Sequence, residues 1–477
     1  MNHLIEECMI SNVINSIEFQ TEAGKVAALK FFENLPMHKS IVYRRANTIL
    51  DMRNISPSSV NWKDIRSAEE KLKPYFVSND LTEQTETQIF FTNEHLKVLN
   101  TIPYLISILL FLKIWITPIL GIMMPIIFVL MPYLIIKFVM RIPMPWDFYW
   151  NVLKEMVLGI RGGEPIGLKQ LSQVLYLITG FGQGMVQPVI AAQQAYASDM
   201  KIQEIGSNVI QYINASKKIY EHLMPTAVVK PPPLIDTTDP RMAYWWFRDN
   251  QILLESWIHQ IGCVDVYWSL AMDARWLAVE WSDRLVLNNL ADLCIKNPIG
   301  SDIAVGTHCI LTGPNRGGKS SFLRAVLQQV LFARVFGIST CEAKVPWYSW
   351  IHSRIRSLDM PGVASLFEED VRSCANILNK SSDQLGLVLI DELFHSTNPP
   401  DALFCATTFL NKFWLMENAT SIISTHSFEL LNKLPSHVQT LCCPATDEGN
   451  RLKYSYRIIP GICKLSSVRE VLKEHGL

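Results

Sequence analysis

No two cysteines in this sequence stand in a C-x-x-C arrangement; ten are scattered through 477 residues, and only Cys442 and Cys443 adjoin. That spacing offers neither a zinc site nor a disulfide framework, so reduced, intracellular thiols are the simplest expectation. An excess of positive charge is also missing. With 43 Lys and Arg against 44 Asp and Glu the net charge is −1, whereas a protein that wraps nucleic acid carries a basic footprint. Any DNA contact would therefore use a local patch or a partner subunit. Residues 1–20 lack a basic head followed by a sustained apolar run, so no cleavable signal peptide is expected there. The length suits roughly two to four domains with a substantial core.

Charge is scarcest between Ile102 and Val139, where Lys113 and Lys137 are the only charged residues. The 23 uncharged residues between them are enough to cross a hydrocarbon layer of about 30 Å. Pro118, Pro125 and Pro132 recur every seven residues. Each would break a soluble helix, whereas membrane helices tolerate them better. Tyr104, Trp115, Tyr133, Trp146 and Trp150, with the lysines and Arg141, suit anchoring at a membrane interface. A buried core hairpin is the soluble alternative. The run is long enough for one span or for two short spans turning near Gly121, since two need about 34–40 residues.

Around this run the chain reads as helical. Residues 1–100 form an N-terminal helical core region, with helical spacing over Glu22–Leu35 and Ser40–Met52. The basic residues between His38 and Lys73 read as a solvated helical face. Residues 101–141 are the hydrophobic hairpin, and 142–285 a helical lever or core region. Within the latter, Gly180, Gly182, Gly184 and Pro188 interrupt a weakly apolar stretch that is poor membrane material, and Lys230–Pro233 reads as an extended linker. Residues 286–477 form an α/β domain.

That domain carries the chemistry. Cys309–Leu311 reads as the end of a buried strand, and Phe322, Leu323, Val326, Leu327, Val330 and Leu331 mark one apolar face of a helix ending near Gly337. Between them Gly313, Gly318, Lys319 and Ser320 fit G-x-x-x-x-G-K-[ST]. In such a loop the backbone N–H groups and the helix N-terminus cradle phosphate oxygens, the lysine reaches the β and γ phosphates, and the serine hydroxyl ligates Mg²⁺.

About seventy residues on, the apolar strand 385–390 ends in Asp391 and Glu392. A strand delivering two acids supplies what a nucleotide site needs next: Asp391 to hold Mg²⁺ through water, and Glu392 to polarise the attacking water. A further strand, Thr420–Ser424, ends at Thr425 and His426. Strand carboxyl ends share one rim in open α/β sheets, so His426 is placed to sense the γ-phosphate.

Together these residues resemble the MutS family of mismatch-repair ATPases, which share the ABC-type nucleotide fold. Thr312–Ser321 (TGPNRGGKSS) is similar to that family's loop, which adds Pro314, Asn315, Arg316, Gly317 and Ser321 to the expected ATP-binding set. Leu387–Pro399 resembles its Asp-Glu strand and following loop, and Ser424–Leu430 its Thr-His segment. Ser365-Leu366-Phe367 with Asp370 resembles the signature that a partner subunit presents to ATP, which implies that Ser365 acts in trans. Thr21–Leu50 and Val264–Ala274 resemble parts of the family's helical core, so the two flanks of the apolar run should share a compartment. A membrane hairpin replacing the family's DNA-clamp tip satisfies this, as in a membrane-anchored MutS-like branch. Departures are Arg316, where a small or apolar residue is usual, Ser396 in place of a glycine, and Asp370 in place of glutamate. Phe31–Glu33, the one Phe-x-Glu ahead of the apolar run, sits inside a helical pattern, so direct mispair reading is not expected.

The expected fold is thus an ABC-type, MutS-like P-loop NTPase domain preceded by an all-α core and lever region with a transmembrane helical hairpin. The expected function is Mg²⁺-dependent ATP hydrolysis by a homodimer or MutS-like heterodimer at a membrane, with the ATPase on the cytoplasmic side and DNA as a partner. The alternative is a membrane-associated ABC-like ATPase acting on a protein or lipid partner without DNA.

Overall fold

The computed structural model describes residues 2–77, 83–158, 168–224, 233, 237–355, 366–394, 397–432, 434–448 and 452–475. The chain divides into two compact units that do not follow linear order: one holds residues 1–62, 220–226 and 258–477, the other 63–219 and 227–257. These limits differ from segments ending at 100, 141 and 285. The difference arises because helices Glu22–Glu33 and Lys39–Met52 bury their apolar sides within the first unit, instead of closing a small core of their own.

The first unit is built on a six-stranded sheet in the order 459–460, 438–442, 308–312, 419–424, 386–390, 350–354. The five longer strands run parallel, and the edge pair Ile459–Pro460 is antiparallel. His308–Thr312, Gly386–Ile390 and Ala419–Ser424 are buried at every position, as parallel strands covered on both faces must be. Helices Leu366–Leu378 and Pro399–Phe413 pack on this sheet, setting Ile377, Phe409, Leu410 and Phe413 against Val388, Ile390 and Ile423. A second, mostly antiparallel sheet orders its strands 280–281, 342–345, 285–290, 301–305.

Helix Lys319–Phe336 differs from the one-faced helix its apolar spacing suggests, because nearly all of its residues are buried. The N-terminal helices cover what would have been its solvent side. Phe31 packs on Phe336 and Phe32 on Phe332, with ring centroids 5.1 and 5.0 Å apart. Its buried glutamines are hydrogen-bonded, as burial requires, whereas the Arg334 Nε and Nη1 have no hydrogen-bond partner among the described residues. Gln329 accepts from the Ser339 hydroxyl and the Thr340 N–H, each at 2.9 Å, and the Arg334 guanidinium lies 3.5 Å over the Trp347 ring. The helix stops at Gly337 (φ 72°), where a Cβ would fall 2.9 Å from that of Ala46. Glycine there ends the helix in the left-handed region and lets helix Lys39–Met52 approach.

Asp265, in helix Gln251–Met272, joins the two ends of this unit. Its fully buried carboxylate accepts from the Gln20 N–H at 3.0 Å, the Thr21 N–H at 2.7 Å, the Thr21 hydroxyl at 2.8 Å and the Ser269 hydroxyl at 3.0 Å. Thr21 in turn caps helix Glu22–Glu33 by accepting from the Gly24 N–H at 3.0 Å. Burial lifts the carboxyl above its ordinary value although these bonds favour the charged form. Asp265→Ala leaves buried donors without partners, at about 1–3 kcal/mol each. Denaturant unfolding is therefore expected to show a loss of at least about 3 kcal/mol, summed over those donors, with Asp265→Asn losing less; a loss no larger for alanine than for asparagine would contradict this.

In the second unit the apolar run is one helical path, Pro103–Phe111, Leu112–Ile116, Thr117–Leu134 and Ile135–Val139, the second and fourth stretches being π turns. The turn near Gly121 is not there. Gly121 lies inside the helix, and a Cβ on it would fall 2.8 Å from the Pro188 ring and 3.3 Å from the Gly184 carbonyl oxygen. It is a pairing position against the 56-residue helix Leu168–Leu223. That helix runs without a break through Gly180, Gly182, Gly184 and Pro188; the close approach is made at Pro188 and the Gly184 carbonyl, where Gly121 carries no side chain. Lys113 donates to the Gln88 carbonyl at 2.8 Å. Among the described residues, Tyr104–Val139 is the one helix long and apolar enough to cross a membrane, and its most apolar window has none of its residues buried.

Candidate functional site

Three buried parallel strands end on one rim: His308–Thr312 at Gly313, Gly386–Ile390 at Asp391, and Ala419–Ser424 at Thr425 and His426. The strand ending at His426 lies between the other two. From Thr312 the chain turns through Gly313 (φ 144°), Arg316 (φ 67°) and Gly318 (φ 98°) into helix Lys319–Phe336. Glycine at 313 is demanded twice, by its φ and by the Cys443 carbonyl oxygen, 2.9 Å from where a Cβ would stand.

Lys319 is buried at 6% exposure and folds its ammonium into the loop, donating to the carbonyls of Gly313 at 3.0 Å and Pro314 at 3.1 Å. Burial pulls its pKa below the ordinary value, and Asp391 and Glu392 oppose that shift. Ser320 donates its hydroxyl hydrogen to Asp391, and the Ser424 hydroxyl donates to the other Asp391 oxygen. The Ser424 hydroxyl oxygen also accepts from the Glu392 N–H at 3.0 Å. Glu392 stands in the left-handed region (φ 55°) and meets His426 Nε2 at 2.8 Å. A carboxylate held on such a backbone is where functional sites tend to store strain.

Asn315, Arg316, Gly318, Lys319, Ser320, Ser321, Asp391 and Glu392 line one cleft of about 560 Å³, a size usual for small-molecule sites. Gly313, Pro314 and Gly317 complete the loop, and His426 joins through Glu392. Ser365 and Ser396 lie outside the described residues. Asp370 is buried and paired with Arg354 of the same chain. The opposite wall has no signal in the sequence: Leu290 at the end of strand Leu285–Leu290, Ile295, Pro298 and Ile299 on the segment that follows it, and Tyr456 from near the C-terminus. Asn297-Pro298 is a turn signal, and nothing in it points to a cleft 20 residues from the loop.

An ammonium, a hydroxyl and loop N–H groups facing two carboxylates suit a polyanion carried with a divalent cation. Ser320 and Asp391 are hard oxygen donors of the kind Mg²⁺ takes. Among the described residues no group of three His, Cys, Asp or Glu side chains could hold a metal, so oxygens of the ligand and water would complete such a shell.

Residues 309–477, which contain every described part of this loop and both acids, match the family model described as MutS domain V. This C-terminal region belongs to the MutS family. Relatives named DNA mismatch repair protein MutS align with part of the chain: that of Syntrophomonas wolfei at 31% identity over 190 residues, covering 38% of this chain and 22% of the relative. Those of Thermus thermophilus and Thermus aquaticus align at 29% and 31% identity over 170 residues, covering 35% of this chain and 21% of the relative. The chain thus aligns with about a fifth of the length of these MutS proteins. Outside the MutS-like region lies the helical N-terminal part, so the whole is a mixed α/β protein.

Proposed function

We propose that this chain is an ABC-type P-loop ATPase, binding ATP at Gly313–Ser321 and hydrolysing it with Mg²⁺. The observation that carries the reading is the convergence of Lys319, Ser320, Asp391 and the Glu392–His426 pair on one cleft. Lys319 would exchange its two loop carbonyls for β and γ phosphate oxygens. Ser320 and Asp391 would hold Mg²⁺, whose contribution when bound is to neutralise charge on the β and γ oxygens. Glu392 orients and polarises the attacking water, and His426 fixes the carboxylate. The apolar wall at Ile295, Pro298 and Ile299 accepts the base. By resemblance, Ser365 of a second subunit faces this ATP in a homodimer or MutS-like heterodimer.

A membrane arm is the second part of the proposal. Lys113 is held by Gln88, and the 23 uncharged residues that follow it would rise about 34 Å as a helix, close to the thickness of a hydrocarbon layer. The paired helix falls short of the apolarity a lone span needs, but it is uncharged from Gln170 to Ser198 and would cross packed against the first. At the far end Tyr133, Trp146, Tyr149 and Trp150 cluster, with Tyr133 and Trp146 centroids 4.9 Å apart and Lys154 over Trp150. Aromatic and basic residues gather so at lipid interfaces. Two paired helices return the chain to its starting side, the cytoplasmic one in this proposal.

DNA is proposed as the partner from the names of the relatives. The net charge of −1 favours the alternative, an ATPase moving a protein or lipid partner. One experiment separates them: membranes are washed with carbonate, and the retained protein is solubilised and tested for DNA binding with and without ATP across a salt series. Retention and a steep salt slope are expected, since phosphate contacts release counterions. Release by carbonate would refute insertion, and no binding at low salt would select the alternative.

A further inference from the structure

We propose that Arg316 is a phosphate-directed residue of this cleft, that its ion pair with Glu474 competes with phosphate, and that ATP takes Glu474's place. This rests on the ATP reading above. Arg316 lies in the loop two residues before Gly318, in the left-handed region (φ 67°), and lines the cleft with Lys319 and Ser320. A long cationic side chain on a backbone conformation that glycine adopts more easily, with glycines following it, places a cost where the chemistry is. Its Nη1 donates to Glu474 Oε2 at 2.6 Å, both side chains being about half exposed. An ion pair so open to water contributes little, so a better anion displaces it. The terminal phosphate is that anion, since it concentrates more charge and more acceptor oxygens than a carboxylate and suits the planar guanidinium.

Glu474 ends the short helix Val468–Glu474. The same helix reaches the cleft a second way: Glu470 accepts from the Leu452 N–H at 3.0 Å and from the Tyr454 hydroxyl. Two residues on, Tyr456 lines the cleft beside Gly318. Loss of the Arg316 contact frees the end of the helix, so occupancy of the phosphate site is transmitted to residues 468–474.

The full-length protein with Arg316→Met, Glu474→Gln and both changes tests this, using fluorescent ATP and ADP analogues and amide exchange over 468–474. Arg316→Met is expected to lower ATP affinity about 10-fold or more, as for a lost charge-assisted hydrogen bond, and ADP affinity far less. Glu474→Gln is expected to raise ATP affinity about 2- to 5-fold, the scale of an exposed ion pair, and to have no effect when Arg316 is already Met. A non-hydrolysable ATP analogue should speed exchange over 468–474 in the wild type and not in Arg316→Met. Equal loss of ATP and ADP, or an unchanged Glu474→Gln effect in the Arg316→Met background, overturns the exchange while leaving ATP binding intact. A wild type that binds no ATP overturns both readings.

Discussion

Lys319→Ala is expected to lower ATP affinity by at least about 100-fold, because truncating one member of a buried, hydrogen-bonded charge pair costs about 3 kcal/mol or more. The ammonium is already desolvated and lies against the loop, within reach of the Gly313 and Pro314 carbonyls. Phosphate oxygens are better acceptors for it than either carbonyl, so its binding energy is realised when ATP arrives. Lys319→Met, which preserves most of the buried stem, should fail to bind just as badly; equilibrium binding by fluorescence or calorimetry reads both. Affinity within about threefold of wild type in either variant would remove Lys319 from the phosphate site, that factor being smaller than a single lost hydrogen bond.

Glu392→Gln is expected to act on the other half of the cycle. ATP affinity should stay within about threefold, while kcat falls by about 100- to 10,000-fold, the range for loss of a positioned general base. The amide preserves shape and can still pair with His426, which now meets Glu392 at 2.8 Å, but it cannot polarise water. Removing an interaction made only in the transition state lowers kcat without weakening binding. Stopped turnover with ATP retained would be seen as a stable nucleotide complex on gel filtration. Undiminished hydrolysis would move the water-activating role away from Glu392.

How much of this was legible in the sequence depends on the distance over which each feature is decided. The glycine loop, its strand and helix, the two acids after an apolar strand and the Thr-His strand end are all local patterns. Backbone conformation and alternation of apolar residues settle them within about ten residues, and the structure has them where those patterns lie. The placement of His426 on the same rim followed from strand direction alone, since parallel strands share their carboxyl ends.

Other features are decided by partners far along the chain. Apolar spacing marked one face of helix Lys319–Phe336 for burial, yet Phe31, Phe32 and Ala46 cover its remaining surface. Three of the four hydrogen bonds at Asp265 bring residues 20 and 21 to residue 265, a pairing with no trace in local spacing. Gly121 has the composition of a turn and the environment of a helix contact, because the Pro188 ring and the Gly184 carbonyl press against it where a side chain would stand. By itself, then, the sequence determined the family of its C-terminal region, the loop, its acids and the helical character of the rest. Only the tertiary structure decided which segments cover one another, how the apolar run pairs, and which wall faces the loop, for periodicity records that a residue seeks burial and carries no address for the segment that buries it.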